Sequence, residues 1–375
     1  MQQVNEMEHT VRIGAEFLKP GEKIAGVEKY GNGIIHDTYL VSLAGELGKF
    51  ILQRVNTRVF SNPVLVMQNI RIVCDHVHKR LAQERDARLE QWQMLEIMPA
   101  SDGKDYFVDQ QGSFWRGFSF IRNAMPLANA GTREEAREAG TALGRFHFLV
   151  HDLEPGRLHD TLPGFHEISH YLSHFDGVVK KSAKPNPSSR LQNCFDFIQN
   201  RRQWAPVIET ALAEGRLKSR ITHGDPKSNN VMLDRNTHKA VSLIDLDTVK
   251  PGLVIYDIAD CLRSCCNTPD ETAVDPGTVA FDSNLCEAFL SGYLAEYPFL
   301  TDSDYEYLYD AICIIAFELG LRFVTDFLES DVYFKTEYRG QNLDRAMVQF
   351  KLAESVESQE TRLTSLIADC RGRFT

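Results

Sequence analysis

Ile221-Thr222-His223-Gly224-Asp225-Pro226-Lys227-Ser228-Asn229-Asn230 is followed, fourteen positions after Asn230, by Ile244-Asp245-Leu246-Asp247, and the span between them sets the reading of the chain. Val231-Met232-Leu233 and Ala240-Val241-Ser242-Leu243-Ile244 flank a polar turn from Asp234 to Lys239, which predicts a small hairpin with acidic residues at both ends. Around it the texture is helical. Upstream, Thr132 with Glu135 forms a capping box ahead of Ala136, Ala139, Leu143, Phe146 and Val150 at core-facing helical spacing. Lys180 to Arg190 reads as a surface loop, Leu191 to Ala213 as a helix, and Asp257 to Cys370 as predominantly helical. Before Arg122 the pattern is extended. Strands are predicted at Gly26–Tyr30, Thr38–Ser42, Lys49–Val55, Tyr106–Val108 and Phe114–Ile121, with one helix from Asn62 to about Leu81. The expectation is a mixed α/β (α+β) chain of two lobes, a small β-rich lobe over residues 1–121 and a larger helical lobe over residues 122–375.

The residue types at the hairpin carry chemistry. An Asp in a loop, an Asn five residues later and a second Asp after the next strand is the arrangement used for phosphoryl transfer in protein-kinase-like folds. A carboxylate accepts the proton of the attacking hydroxyl, while an amide oxygen and a second carboxylate hold Mg²⁺, a hard cation that prefers oxygen ligands. Asp225, Asn230 and Asp245 fill these places, and Lys227 is positioned to lend positive charge to the transferring phosphoryl group. An isolated Asp or Asn beside Pro and Gly is an ordinary turn former. The conjunction of loop, hairpin, second Asp and upstream β lobe is what makes the chemical reading.

Composition narrows the field. With 41 basic and 52 acidic residues among 375, the net charge is −11, and no Lys/Arg run is present to neutralise a nucleic-acid backbone. The apolar window Ala311–Leu321 is interrupted by Glu318 and falls short of a membrane span, which takes about 20 residues. Met1 to Thr10 is polar and acidic, so a cytoplasmic protein is expected. Eight scattered cysteines without a C-x-x-C pair read as reduced, mostly buried thiols.

His223-Gly-Asp-Pro-Lys-Ser-Asn-Asn230 with Leu243-Ile-Asp-Leu-Asp-Thr248 resembles the aminoglycoside phosphotransferase superfamily of small-molecule kinases. Tyr30-Gly-Asn-Gly33, Thr38-Tyr-Leu-Val41, Phe50-Ile-Leu-Gln-Arg-Val-Asn56, Pro251-Gly252, Leu321-Arg-Phe323 and Asp331-Val-Tyr-Phe334 extend the likeness to the N-acetylhexosamine 1-kinases, over roughly Gly26 to Ala353. The resemblance implies transfer of the γ-phosphoryl of ATP, with Mg²⁺, to the anomeric hydroxyl of N-acetylglucosamine or N-acetylgalactosamine. Asp225, Arg322, Tyr333 and His36 would then face the sugar, although an exposed turn is the plainer reading of His36, and an ion pair with a nearby carboxylate such as Asp326 is the equal alternative for Arg322. Gly31 and Gly33 would lie at the phosphates and Phe120 and Ile121 beside the adenine. Asp257 is expected to brace the catalytic loop.

One departure stands out. The third strand of a kinase supplies a Lys to the α- and β-phosphates, and this chain has Gln53 there. The neighbouring Arg54 is a candidate replacement, but strand alternation turns it to the opposite face. Two other functions remain open at this point: a kinase for another small alcohol (an aminoglycoside, an amino-alcohol or a free hexose), or a nucleotide-binding pseudokinase scaffold. His166-Glu167-Ile168-Ser169-His170 is a literal H-E-x-x-H. The extended zinc-protease form needs Gly and His where this chain has Ser173 and Asp176, so zinc is not expected. His147 with His151, and His174 after His170, repeat helical spacing and read as core or solvated histidines.

Overall fold

The computed structural model describes residues 2–31, 35–45, 48–128, 130–181, 188–268 and 276–374. They fall into two units, Met1–Gln83 with Gln93–Asn123, and Glu84–Trp92 with Ala124–Thr375. Glu84–Trp92 thus lies early in the sequence but belongs to the second unit.

The first unit is built on a sheet. Its elements are α1 (Gln2–Ala15), β1 (Ile24–Lys29), β2 (Asp37–Leu43), β3 (Lys49–Arg54), α2 (Pro63–Gln83), β4 (Ile97–Met98), β5 (Phe107–Val108) and β6 (Phe114–Ser119). Strand order is β1-β2-β3-β6-β4, with β5 also paired to β6 and every pairing antiparallel. Period-two alternation gives the sheet two different faces. Tyr39, Val41, Phe50, Leu52 and Trp115 point one way and close a core with Ile13 and Phe17, the latter just beyond α1. Residues 2–10, read from sequence only as polar and acidic, therefore enter a helix that delivers Ile13 to this face. Thr38, Gln53 and Arg116, aligned across β2, β3 and β6, lie on the other face, where Arg116 reaches Met67 of α2.

The second unit is mainly helical. Its sequence runs β7 (Ala124–Pro126), α3 (Arg133–Val150), α4 (Ile168–Lys181), α5 (Ser189–Asn200), α6 (Ala205–Ala213), β8 (Arg220–Thr222), β9 (Val231–Asp234), β10 (Ala240–Leu243) and β11 (Lys250–Gly252). It continues with α7 (Val254–Cys265), β12 (Asn267–Thr268), β13 (Ala280–Phe281), α8 (Ser283–Glu296), α9 (Asp302–Glu306), α10 (Leu308–Leu328), α11 (Gln341–Glu357) and α12 (Glu360–Phe374). The expected hairpin is β9–β10, extended by β7 into three strands, while β8 pairs with β11. Thr132 accepts the Glu135 N–H and Glu135 returns to the Thr132 N–H, a capping box of the kind that stabilises a helix start by ~1 kcal/mol.

Two readings of the helices change. The helix expected over Leu191–Ala213 is broken. Arg201 leaves helical geometry after α5, and Pro206, which has no N–H to donate, opens α6. The loop expected over Lys180–Arg190 is shorter, because α4 runs to Lys181 and Ser188 caps α5; residues 182–187 lie outside the described ones.

Backbone contact sets the α3–α8 packing. A Cβ on Gly140 would fall 2.0 Å from the Phe289 carbonyl oxygen, and one on Gly292 would fall 2.1 Å from that of Arg137. Only glycines permit so close an approach, and the closeness brings His147 of α3 against Tyr293 of α8. Among the described residues no helix is long and apolar enough to cross a membrane.

Candidate functional site

The loop after β8 is held from below by one carboxylate. Asp257, in the first turn of α7 and 1% exposed, accepts the N–H of His223 at 2.6 Å and that of Gly224 at 2.9 Å. A carboxylate can only accept, so the His147 Nε2 at 2.9 Å carries the proton of that contact, and the other ring nitrogen lies 2.8 Å from the Tyr293 hydroxyl. Burial works to raise the Asp257 pKa, but the bond from His147, the neighbouring imidazoles and the His223 N–H outweigh it and hold the group below the usual carboxylate range. Gly224 has φ +85°, and a Cβ there would sit 2.7 Å from the Thr248 carbonyl oxygen.

His223 links the two acidic ends of the hairpin. Its Nε2 donates to the Ile244 carbonyl at 3.0 Å, which leaves Nδ1 to accept the Asp225 N–H at 3.3 Å. This neutral tautomer agrees with a pKa lowered by complete burial. Ile244 is gripped from its other side by its own N–H, which donates to the Asn230 carbonyl at 3.0 Å. The next residue, Asp245, has φ +70°. That left-handed conformation costs a non-glycine residue about 1–2 kcal/mol, and the bonds on Ile244 hold the chain in it.

Asp225 and Lys227 form an ion pair, Nζ to Oδ2 2.5 Å, both partly exposed. The Asn230 Nδ2 donates to the Asp225 carbonyl at 2.7 Å, so its amide oxygen faces the opposite way. Asn230 and Asp245 therefore offer one amide oxygen and one carboxylate, a donor set suited to Mg²⁺ and unsuited to softer metals. Among the described residues, no group of three or more His, Cys, Asp or Glu side chains is gathered around a common point, the two histidines of the H-E-x-x-H segment included. A Mg²⁺ ion that shares its ligands with nucleotide phosphates needs only one or two protein carboxylates.

Arg322 of α10 lies electrostatically near Asp225. Its guanidinium is stacked within 5.3–5.7 Å of the rings of Phe165, Tyr171, Tyr333 and Phe334. Burial opposes its charge, but Tyr171, Tyr333, Glu318 and Asp225 outweigh the penalty. Its carboxylate partner is Glu318, Nη1 to Oε1 3.5 Å, one turn before it, whereas the sequence suggested Asp326, one turn after. Asp326 is occupied elsewhere. It accepts the N–H groups of Val332, Tyr333 and Phe334 and the Asn342 amide at 2.7–3.0 Å, which pins the segment carrying Tyr333. Tyr333 itself is 38% exposed. Glu318 has a second partner in His166, whose Nδ1 lies 3.0 Å from Oε2. His166 has φ +65°, stacks on Tyr256, and leaves Nε2 buried without a hydrogen bond.

In the first unit, Gly31 has φ +71°, as a tight turn requires, and Gly33 lies outside the described residues. Phe120 meets the Tyr30 ring edge-on and Ile121 is buried. His36 is not on an exposed turn: the residue is 8% exposed, and its ring packs on Phe60 and accepts the Asn56 N–H at 3.0 Å. Arg54 is turned to Asp37 at 2.7 Å, on the face opposite Gln53.

Sequence reasoning missed His147 and His166 as parts of this arrangement. The first signalled only helical spacing with His151. The second was weighed solely as half of a zinc motif.

Comparison with known proteins agrees with the fold. An aminoglycoside phosphotransferase from Alicyclobacillus acidocaldarius shares 14% identity over 96% of each chain with a TM-score of 0.61. A choline kinase from Cryptosporidium parvum shares 14% over 96% of this chain and 98% of its own, TM-score 0.58. An ethanolamine kinase from Plasmodium vivax shares 13% over 94% of this chain and 89% of its own, TM-score 0.57. Residues 26–300, which hold the catalytic-loop motif and the hairpin, match the model of one family, and the chain belongs to the phosphotransferase enzyme family (APH).

Proposed function

We propose that the chain is an ATP- and Mg²⁺-dependent small-molecule kinase acting on a neutral sugar, transferring the γ-phosphoryl group to the anomeric C1 hydroxyl of an N-acetylhexosamine. The observation that carries the neutral acceptor is Arg322. A guanidinium enclosed by the rings of Phe165, Tyr171, Tyr333 and Phe334, near Asp225, already occupies the aromatic cage that a cationic alcohol would need. Its N–H groups and the Tyr333 hydroxyl are instead suited to sugar oxygens. The preference for C1 and for the N-acetyl group follows from the resemblance of the Leu321–Phe323 and Asp331–Phe334 segments to the hexosamine kinases.

In this reading Asp225 orients the sugar hydroxyl and takes its proton. The hydroxyl oxygen forms the new bond to phosphorus as the bond to the β-phosphate oxygen breaks, and ADP leaves. Lys227 stabilises charge on the transferring group while holding the Asp225 carboxylate in place. Asn230 and Asp245 would hold Mg²⁺, which when bound neutralises phosphate charge. Gly31, Gly33, Phe120, Ile121 and the face of Gln53 would receive the nucleotide in the 1–121 lobe. The test is ³¹P NMR of wild type and Asp225→Asn with Mg²⁺-ATP and a panel of N-acetylhexosamines, hexoses, choline and ethanolamine. An anomeric phosphate from wild type alone is the expected result. Phosphorylation of choline or ethanolamine in preference to the sugars would overturn the neutral acceptor, and phosphate at another hydroxyl would overturn C1.

A further inference from the structure

Gln53 stands on the third strand where kinases carry a phosphate-binding lysine, and it is paired with an arginine on the neighbouring strand. Gln53 on β3 is directly opposite Arg116 on β6 and Thr38 on β2, so the three side chains share a face. Arg116 is 2% exposed. Its Nε and Nη2 donate to the Gln53 amide oxygen at 3.0 and 2.8 Å, its Nη1 reaches the Met67 sulfur, and its guanidinium lies over the Phe118 ring. A guanidinium has only donors, so the atom facing it must be the amide oxygen. The Gln53 NH₂ group is thereby fixed on the far side. One of its hydrogens goes to the Thr38 hydroxyl at 3.1 Å, and among the described residues the other has no protein acceptor. Gln53 is only partly buried, unlike Arg116.

We propose that Gln53 donates this remaining N–H to the α- or β-phosphate oxygens of the nucleotide, with Arg116 as a positioning residue behind it that locks the amide and polarises it. The positive charge that kinases ordinarily carry at the tip of the third-strand lysine is here set back onto the adjacent strand and delivered through an amide. A lysine at 53 would crowd its ammonium against the buried guanidinium, which explains why the usual residue is incompatible with Arg116. The inference rests on the nucleotide-binding reading given above and deepens it.

The experiment is calorimetric titration of the full chain with Mg²⁺-ADP and with adenosine, alongside thermal unfolding, for wild type, Gln53→Glu, Gln53→Lys and the pair Gln53→Lys with Arg116→Met. Gln53→Glu keeps both Arg116 bonds but replaces the donor with negative charge. It is expected to weaken ADP binding about 10- to 100-fold, the loss typical of a hydrogen bond to a charged group, with adenosine binding and melting temperature unchanged. A purely structural role would move stability, or ADP and adenosine alike. Gln53→Lys alone should also weaken ADP, and Arg116→Met should restore it in the double variant. ADP binding by Gln53→Glu within twofold of wild type, or tighter binding by Gln53→Lys alone, overturns the proposal. Wild type that binds no ADP overturns the nucleotide reading itself, a failure distinct from either of these.

Discussion

The catalytic loop and the wall that carries Arg322 are held by opposite means. At the loop the restraint is on backbone: Asp257 takes the N–H groups of His223 and Gly224, His223 ties Asp225 to Ile244, and the Gly224 turn admits no side chain. At the wall it is on side chains: Glu318 is shared by His166 and Arg322, rings enclose the guanidinium, and a buried Nε2 stays without a bond. Backbone restraint fixes where an atom is. Charge restraint fixes where a side chain points, and tolerates some play. Damage to the first should appear in turnover, damage to the second in acceptor affinity.

The largest effect is expected at Asp257. Asp257→Ala leaves two buried N–H groups and an imidazole without their partner, and should cost about 3–5 kcal/mol in urea unfolding, as for other broken buried pairs. The milder Asp257→Asn should fold yet lower kcat roughly 100-fold, because a displacement near 1 Å at the reacting atoms costs that much. Glu318→Gln tests the other side. It should raise the acceptor KM about tenfold, the worth of one charge-assisted contact, with nucleotide KM unchanged. A fall in kcat with constant acceptor KM would erase the distinction between the regions.

A smaller effect separates backbone from side chain at His166. Both His166→Ala and His166→Gly lose the bond to Glu318, but only Gly is at ease at φ +65°, so the Gly variant should be the more stable by about 1 kcal/mol. The smallest is in the pH dependence. Burial depresses the His223 pKa, so the unfolded chain takes up that proton first and stability falls as pH drops below the ordinary imidazole range. His166 is the reverse: burial opposes its charge but Glu318 outweighs it and raises the pKa, so its contribution is complete below the ordinary range and is lost as pH rises through the elevated value. Asp257, held low, adds stability that disappears only as strong acid is approached. Urea midpoints from pH 5 to 9 should therefore peak near neutrality, and His166→Gln should flatten the alkaline side alone.

Much of this was legible in the sequence, and what was not has physical reasons. Local patterns predicted the main strands of the first unit, the hairpin and the Thr132 cap, because turn residues and periodicity act over a few positions, whereas the Asp257 brace, which reaches 33 and 34 positions back to the loop, was expected alongside the kinase-like motif and not from spacing. The partner of Arg322 was misjudged because residues four before and four after it are equally close on a helix, and only the fold shows that Asp326 is taken by the chain at 332–334. The pairing of Gln53 with Arg116 spans 63 positions and depends on register between strands that are not consecutive. His147 carried no signal beyond spacing, since its role is defined by α7 and α8.

The eight cysteines have a practical consequence. All are free and buried, and burial pushes Cys194 and Cys313 up to about 12 and several others higher. At these raised thiols a reagent at neutral pH meets almost no thiolate while the chain is folded, and burial keeps it from all eight. Only Cys74 belongs to the first unit, and the other seven belong to the second. Labelling followed by mass spectrometry then becomes a clock: each modified cysteine dates the opening of the segment around it, and Cys74 times the sheet unit separately from the helical one.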